Sequence, residues 1–376
     1  MKIRLLSIFL LIVSCFWISC SHHPQGENTS NKISSSNPKL AAGFRITENE
    51  SYRILEMISG DGTAVSERFY LINRDLNAET KIPENGKIIQ VPVKTMVCLS
   101  ATQIAFADAL GLIERIVGVA SPDYVVSAQF SDRLMDGKIK EIGISDHFKL
   151  EQLIQLSPEA VLVTTQQGQN YEALRNAGLT VVPMAEHLEN DPLGRAEWIK
   201  CFGVLFEKER EAIQVFDSIS LEYNRLKALT DDVAYRPTVL SGKQYGGFWN
   251  LPGGKSYLSK MIADAGATYI WENNEETGSM MLDFETVYDR GIDVDYWRFL
   301  VYSKDEFTTQ HLLGEDARYA GLKAFKERKM LYCNTFSKPY FQKGPLEPQI
   351  LLADYISVFH PELLPGYSRH YYSILE

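Results

Sequence analysis

The residues best equipped for chemistry lie in loops, and they offer recognition rather than bond-making. The richest loop is SGKQYGGFWNLPGG, residues 241–254. There Lys243, Gln244, Tyr245, Phe248 and Trp249 supply a cation, an amide and flat aromatic faces among glycines. Trp271 precedes a polar ENNEE run, and Tyr302, Ser303, Phe336, Lys338 and Tyr340 follow two further apolar runs. In the first half the matching positions are Ser100, Ala101 and Thr102, then Ser121, Asp123 and Tyr124, then Thr165, Gln166 and Gln167. Ligands of open α/β sheets collect at the carboxyl ends of strands, where helix N-termini also face anions. Such an aromatic and amide-rich wall suits a large, partly flat chelate or macrocycle better than a bare ion. Taken singly, Trp249 and Trp271 also fit core packing.

Catalytic patterns are missing. There is no HExxH, no Gly-x-Ser-x-Gly and no Cys-x-x-Cys. LPGGKS fails as a phosphate loop because Trp249 stands where its first glycine is required, and it reads instead as a turn into a helix starting near Ser256. His147, His187, His311, His360 and His370 are scattered singly, and Cys98 and Cys333 sit in apolar strand text as buried thiols. The expectation is a protein without catalytic residues, resident metal or cofactor.

At 376 residues and 45% hydrophobic content the chain is long enough for two domains and too apolar for disorder. A net charge of −10 argues against a nucleic-acid backbone binder. Five cysteines are too few for a disulfide scaffold, and Cys15 and Cys20 stand apart from Cys98, Cys201 and Cys333. The opening MKIRLLSIFLLIVSCFWISC pairs basic Lys2 and Arg4 with an apolar stretch too short for an ordinary membrane span, and a polar Ser/Asn-rich text follows.

The elements that must position the loops read as α/β. Residues 45–92 hold alternating runs split by SGDGTA, a hairpin or sheet edge. Residues 93–190 alternate short apolar strands and helices, with Ser100 as an N-cap and Gly111 as a helix stop. Residues 191–230 carry apolar positions at helical spacing, with Pro192 and Gly194 at the start and no breaker beyond them but Gly203, which predicts one long helix. Residues 231–376 repeat the strand and helix order of 93–190. The expected architecture is two Rossmann-like lobes with central sheets, joined by one backbone helix, with a ligand cleft between them.

Several phrases in order carry a family resemblance. VPVKTMVCLSATQIAFADALGLIERIVGV, EIGISDHFKLEQLIQLSPEAVLV, GSMMLDFETVYDRGIDVDYWRFLV and the closing YISVFHPEL resemble the helical-backbone (class III) substrate-binding proteins of ABC importers. That group carries ferric siderophores, haem and cobalamin. Ala160 replaces the usual Asp after Pro158-Glu159. The N-terminus resembles a bacterial lipoprotein signal, implying residues 1–19 removed, acylation at Cys20 and a flexible tether over 20–44. Cys15 is the rival acylation site, and an ordinary secretory signal is the alternative to both. The resemblance further implies that Glu151 and Glu285, one on each lobe, pair with arginines of a permease dimer. Without that role, each is a carboxylate near a helix start, where negative charge is favourable anyway.

An iron chelate, siderophore or haem, leads among the ligands implied, with corrinoid second. Few cations (Lys243, Lys338 and Arg133) are visible for an anionic siderophore, and Tyr245 is the candidate axial group for haem. The implied location is the cell envelope, lipid-anchored and facing the periplasm or exterior. Two other classes stay open: an envelope enzyme, which requires a nucleophile and base or clustered ligands in the cleft, and a structural surface lipoprotein, which requires no cleft.

Overall fold

The computed structural model describes residues 32–33, 35–59, 62–75, 83–120, 122–143, 148–165 and 171–376. Cys20 and the signal, His147, Ser121, Gln166 and Gln167 lie outside the described residues. Among those described, no helix is long and apolar enough to cross a membrane.

Two five-stranded sheets organise the body. The first is wholly parallel, in the order Val181–Met184, Ala160–Thr164, Met96–Cys98, Ile116–Val119, Lys140–Glu141. Its strands alternate between two apolar layers. Met96, Cys98, Ala160 and Leu162 face the main core, whereas Val97, Val161 and Val163 face a smaller cluster with Leu153 and Leu174. A strand buried on both faces must be apolar throughout, which is why AVLVT is uninterrupted. The second sheet runs Thr268–Tyr269, Thr238–Ser241, Tyr296–Val301, Met330–Asn334, with Ser373–Ile374 antiparallel at its edge. The α/β class and two-lobed plan expected from the sequence are thus present.

Helix starts follow local chemistry. The Ser100 side chain accepts the Gln103 N–H at 3.3 Å, and the Gln103 side chain accepts the Ser100 N–H at 3.2 Å, capping helix Ala101–Ala109. The Ser256 side chain caps Tyr257–Asp264 by accepting the Ser259 N–H at 3.3 Å, so the LPGGKS text is a turn into a helix. An antiparallel flap, Gln244–Tyr245, Phe248–Pro252 and Ser279–Leu282, stands beside the second sheet. Its tip, Gly246-Gly247, has φ of 61° and 91°, conformations that side chains resist.

Three expectations change. Residues 191–230 are three helices, Pro192–Glu197, Ile199–Phe206 and Glu209–Ala228, not one rod. The break falls where Glu207 takes a left-handed φ of 55° and Lys208 leaves the helical region, with no proline or glycine to announce it. The last two helices pack at Gly203, where an added Cβ would lie 2.9 Å from that of Ala212. The hairpin reading of 45–92 undercounts: Lys32–Ile33, Phe44–Glu48, Arg53–Ile58, Val65–Asn73 and Lys87–Val91 form a five-stranded sheet. Its inner residues Phe44, Ile46, Leu55, Phe69 and Leu71 join the main core. The tether reading of 20–44 ends too late, because Ser36 is buried and 39–43 are bonded to the body through backbone N–H groups. Side-chain pattern carries no trace of such bonds.

Candidate ligand-binding cleft

The carboxyl ends of the two sheets meet around a cavity of about 520 Å³. Ser100, Thr102 and Thr164 approach from the first sheet, and Tyr302 and Thr335 from the second. His187, Pro192 and Arg195, on the segment leading out of the first sheet, form another wall with Tyr257 and Tyr340. A second chamber of about 610 Å³ shares His187, Tyr257 and Phe341 with the first and adds Lys243, Tyr245, Asn250 and Arg298. The two chambers form one cleft. Thr102 Oγ1 donates to the Phe341 carbonyl at 3.0 Å and Gln342 Oε1 accepts the Val126 N–H at 2.7 Å, which ties the two halves across it.

Arg298 is the most unusual group. It comes from the buried strand Tyr296–Val301 and is 4% exposed. All of its hydrogen bonds go to hydroxyl oxygens: Tyr355 at 3.1 Å, Tyr372 at 2.8 and 2.5 Å, Tyr340 at 2.9 Å and Ser241 at 3.4 Å. Burial opposes the charge, but the surrounding phenol oxygens outweigh it and hold the guanidinium protonated. Among the described residues no carboxylate is bonded to it, so a positive charge sits at the cleft floor without an anion.

Arg195 supplies a second cation. Its guanidinium carbon lies 4.0 Å from the centroid of the Tyr257 ring, and its Nε has no hydrogen-bond partner. Burial pushes the Tyr257 phenol up, yet the charges of Arg195 and Arg298 and hydrogen bonding to Tyr340 and Arg195 bring it below its ordinary value. Beside it Glu186 Oε2 and His187 Nδ1 are also buried without partners. Burial raises the Glu186 carboxyl, and burial followed by the Arg195 charge lowers the His187 imidazole. Three unsatisfied polar atoms in one cavity wall is a concentration that ordinary interiors avoid. A ligand with an anionic group and hydrogen-bonding edges would satisfy them.

The residues expected from sequence divide. Ser100, Thr102, Tyr302 and Tyr340 line the first chamber, and Lys243 and Tyr245 the second. Tyr340 also serves the Arg298 cluster, and Lys243 is engaged by Glu315 at 2.5 Å. Trp249 does not reach the cleft. It is fully buried among Trp297, Phe284 and Tyr319, its indole N–H bonded to the Ser241 carbonyl at 3.1 Å. Strand alternation decides this, turning Trp249 and Leu251 inward and Phe248 and Asn250 outward. Trp271 is also buried, under the Arg290 guanidinium at 5.0 Å, and is absent from the cleft walls. Asp123 and Lys338 lie outside the lining, Tyr124 closes the short turn Pro122–Tyr124, and Arg133 is spent on the carbonyls of Glu114 and Ile116.

Arg195, Tyr257 and Arg298 escaped sequence reasoning, and His187 reads there only as one of the scattered histidines. Only Arg298 carried a signal, a charge in the middle of the strand YWRFLV that reads as buried. Among the described residues no group of three or more His, Cys, Asp or Glu side chains is arranged to hold a metal. Glu151 is exposed in the first turn of Leu150–Leu156, and Glu285 is exposed in the first turn of Phe284–Gly291, 2.9 Å from Arg318.

With this geometry in view, the chain belongs to the periplasmic binding protein family, whose model matches residues 96–335. It is 28% identical to an uncharacterized lipoprotein of Methanocaldococcus jannaschii over 99% of this chain and 96% of that protein. Among solved structures, a periplasmic haem-binding protein from Pseudomonas aeruginosa matches with a TM-score of 0.58 and 16% identity, covering 76% of this chain and 98% of that one. An ABC-type Fe3+-hydroxamate transport protein from Saccharomonospora viridis matches at 0.56 and 18%, covering 72% and 94%. At these identities the structures establish the fold.

Proposed function

We propose that this protein captures an anionic iron chelate, a ferric siderophore or haem, and delivers it to an ABC importer permease without chemically changing it. The observation that carries this reading is the pair Arg195 and Arg298, two guanidiniums on the walls of one cleft with no carboxylate bonded to either among the described residues. A buried cation such as Arg298, with the half-buried Arg195 beside the same cleft, favours an anionic partner and disfavours a neutral one. Aromatic and hydroxyl groups around it, Tyr257, Tyr302, Tyr340 and Phe341, supply area for a larger organic body. Names among similar proteins, haem-binding and Fe3+-hydroxamate transport, agree with this ligand range.

Delivery follows the family plan. Glu151 and Glu285 are the proposed docking carboxylates for permease arginines, and Cys20 is the proposed acylation site tethering the protein to the envelope membrane. The exposure of both glutamates and the lipoprotein name of the archaeal relative support these assignments.

The deciding experiment is calorimetry of the purified protein against haemin, ferric citrate, ferrioxamine B and cyanocobalamin. One-to-one binding of haemin or ferric citrate, weakened but still measurable in Arg195→Ala, is the expected result. Tight binding of cyanocobalamin alone would move the assignment to corrinoid capture, and binding of none would refute chelate capture.

A further inference from the structure

Five consecutive backbone N–H groups, from Lys39 to Gly43, are received by two carboxylates. Glu197 accepts from Lys39 at 3.0 Å, Leu40 at 2.7 Å and Ala41 at 2.9 Å. Glu189 accepts from Ala42 at 2.9 Å and Gly43 at 2.9 Å. Both carboxylates are buried. Lys200 Nζ completes the Glu197 shell at 2.7 Å, and the Trp198 indole N–H completes that of Glu189 at 2.8 Å. Charge-assisted bonds of this kind are roughly twice as strong as neutral ones. The fit is close: a Cβ on Gly43 would lie 2.6 Å from the Trp198 ring.

Glu189 and Glu197 bracket the segment that leaves the first sheet and runs along the cleft. Between them, helix Pro192–Glu197 carries Pro192 and Arg195 into the cavity wall, and His187 stands two residues ahead of Glu189. At about 100° per residue, Arg195 and Glu197 point to nearly opposite sides of that helix. One side meets the cleft and the other meets 39–43. Six residues make a helix too short to hold itself. Asp191 caps its start through the Leu193 and Gly194 N–H groups, and the carboxylate at its end is fixed by 39–43.

We propose that residues 39–43 are a brace for the ligand site, with Glu189 and Glu197 acting as positioning residues that hold Arg195 over Tyr257. Residues 39–43 lie outside residues 96–335, the part matched by the family model. The proposal rests on the cleft being the ligand site.

The test compares Glu189→Gln and Gly43→Ala with Leu71→Ala, which empties space in the core of the N-terminal sheet, in the full purified protein. Haemin and ferric citrate are the probes. Glu189→Gln and Gly43→Ala are expected to weaken probe binding by about tenfold or more, whereas Leu71→Ala lowers the melting temperature and leaves affinity within about twofold. In an Arg195→Ala background the Glu189→Gln penalty should vanish, because there is no guanidinium left to position. Undiminished affinity in Glu189→Gln, an equal loss in Leu71→Ala, or the same penalty without Arg195 would each overturn the brace. Should the parent bind neither probe, amide hydrogen exchange decides. Protection lost over 192–197 in Glu189→Gln, with strand 160–164 unaffected, sustains the brace while chelate capture fails, and unchanged protection at 192–197 overturns it.

Discussion

The Arg195 guanidinium lies over the ring of Tyr257, 4.0 Å from its centroid, and the two residues come from two helices whose starts are joined only through the fold, 62 positions apart. Neither helix has a meaning for ligand binding by itself. Placed together they make an acidified phenol beside a cation, and Tyr340 links that phenol to Arg298 beneath.

Arg298→Met should destabilise the fold by on the order of 3 kcal/mol, since it strands the hydroxyls of Tyr340, Tyr355 and Tyr372 in the interior. Arg195→Ala, which loses the contact with Tyr257 from a side chain that is only half-buried, should cost about 1 kcal/mol of stability or less. Urea denaturation of both variants measures the contrast, and equal losses would contradict the difference in burial on which it rests.

Trp249→Phe offers a second contrast. The residue is core, so removing its indole N–H from the Ser241 carbonyl should lower stability by about 1 to 2 kcal/mol. Probe affinity should stay unchanged. A loss of affinity larger than the loss of stability would return Trp249 to the ligand site.

His187 gives a pH dependence with a definite sign. Burial, then the charge of Arg195, lowers its proton affinity in the folded state below the usual imidazole value of 6.5. The unfolded chain therefore binds the proton first. Stability from this group is present in full above pH 6.5 and is lost as pH falls through the lowered value. Urea midpoints measured from about pH 8 to about pH 5 should decline less steeply in His187→Gln than in the parent. Parallel curves would show that another group sets the slope.

Glu285→Gln should leave fold and ligand affinity untouched, because the Arg318 pair it breaks is a solvent-exposed surface contact. Arg318 keeps Asp316 at 2.7 Å and the face of Phe284 at 3.5 Å. Transport into proteoliposomes carrying the cognate permease should nevertheless fall, and fall further with Glu151→Gln. Full transport by the double variant would remove both from the docking assignment.

Cys98, Cys201 and Cys333 are buried and unpaired. Burial raises all three thiols, that of Cys333 to about 12. A thiol reagent should label none of them in the native protein at neutral pH and all three after unfolding. Rapid native labelling would mean that a lobe opens locally.

The sequence by itself determined what depends on local pattern. Uninterrupted apolar runs specified the buried parallel strands, Ser100 and Ser256 specified helix starts, and the ordered phrases specified the family. Reading the strand ends also picked out Ser100, Thr102, Lys243, Tyr245, Tyr302 and Tyr340, which line the two chambers, because in such sheets clefts open at the carboxyl edge. Only the tertiary structure decided the rest. The side of a strand taken by Trp249 depends on register, and a shift of one residue would have exchanged it with Phe248. The break at Glu207 depends on Gly203 packing against Ala212, and the end of the tether depends on carboxylates about 150 positions away. Arg195, Tyr257 and Arg298 acquire their chemistry from desolvation and from one another, and both are properties of the assembled interior that no stretch of sequence contains.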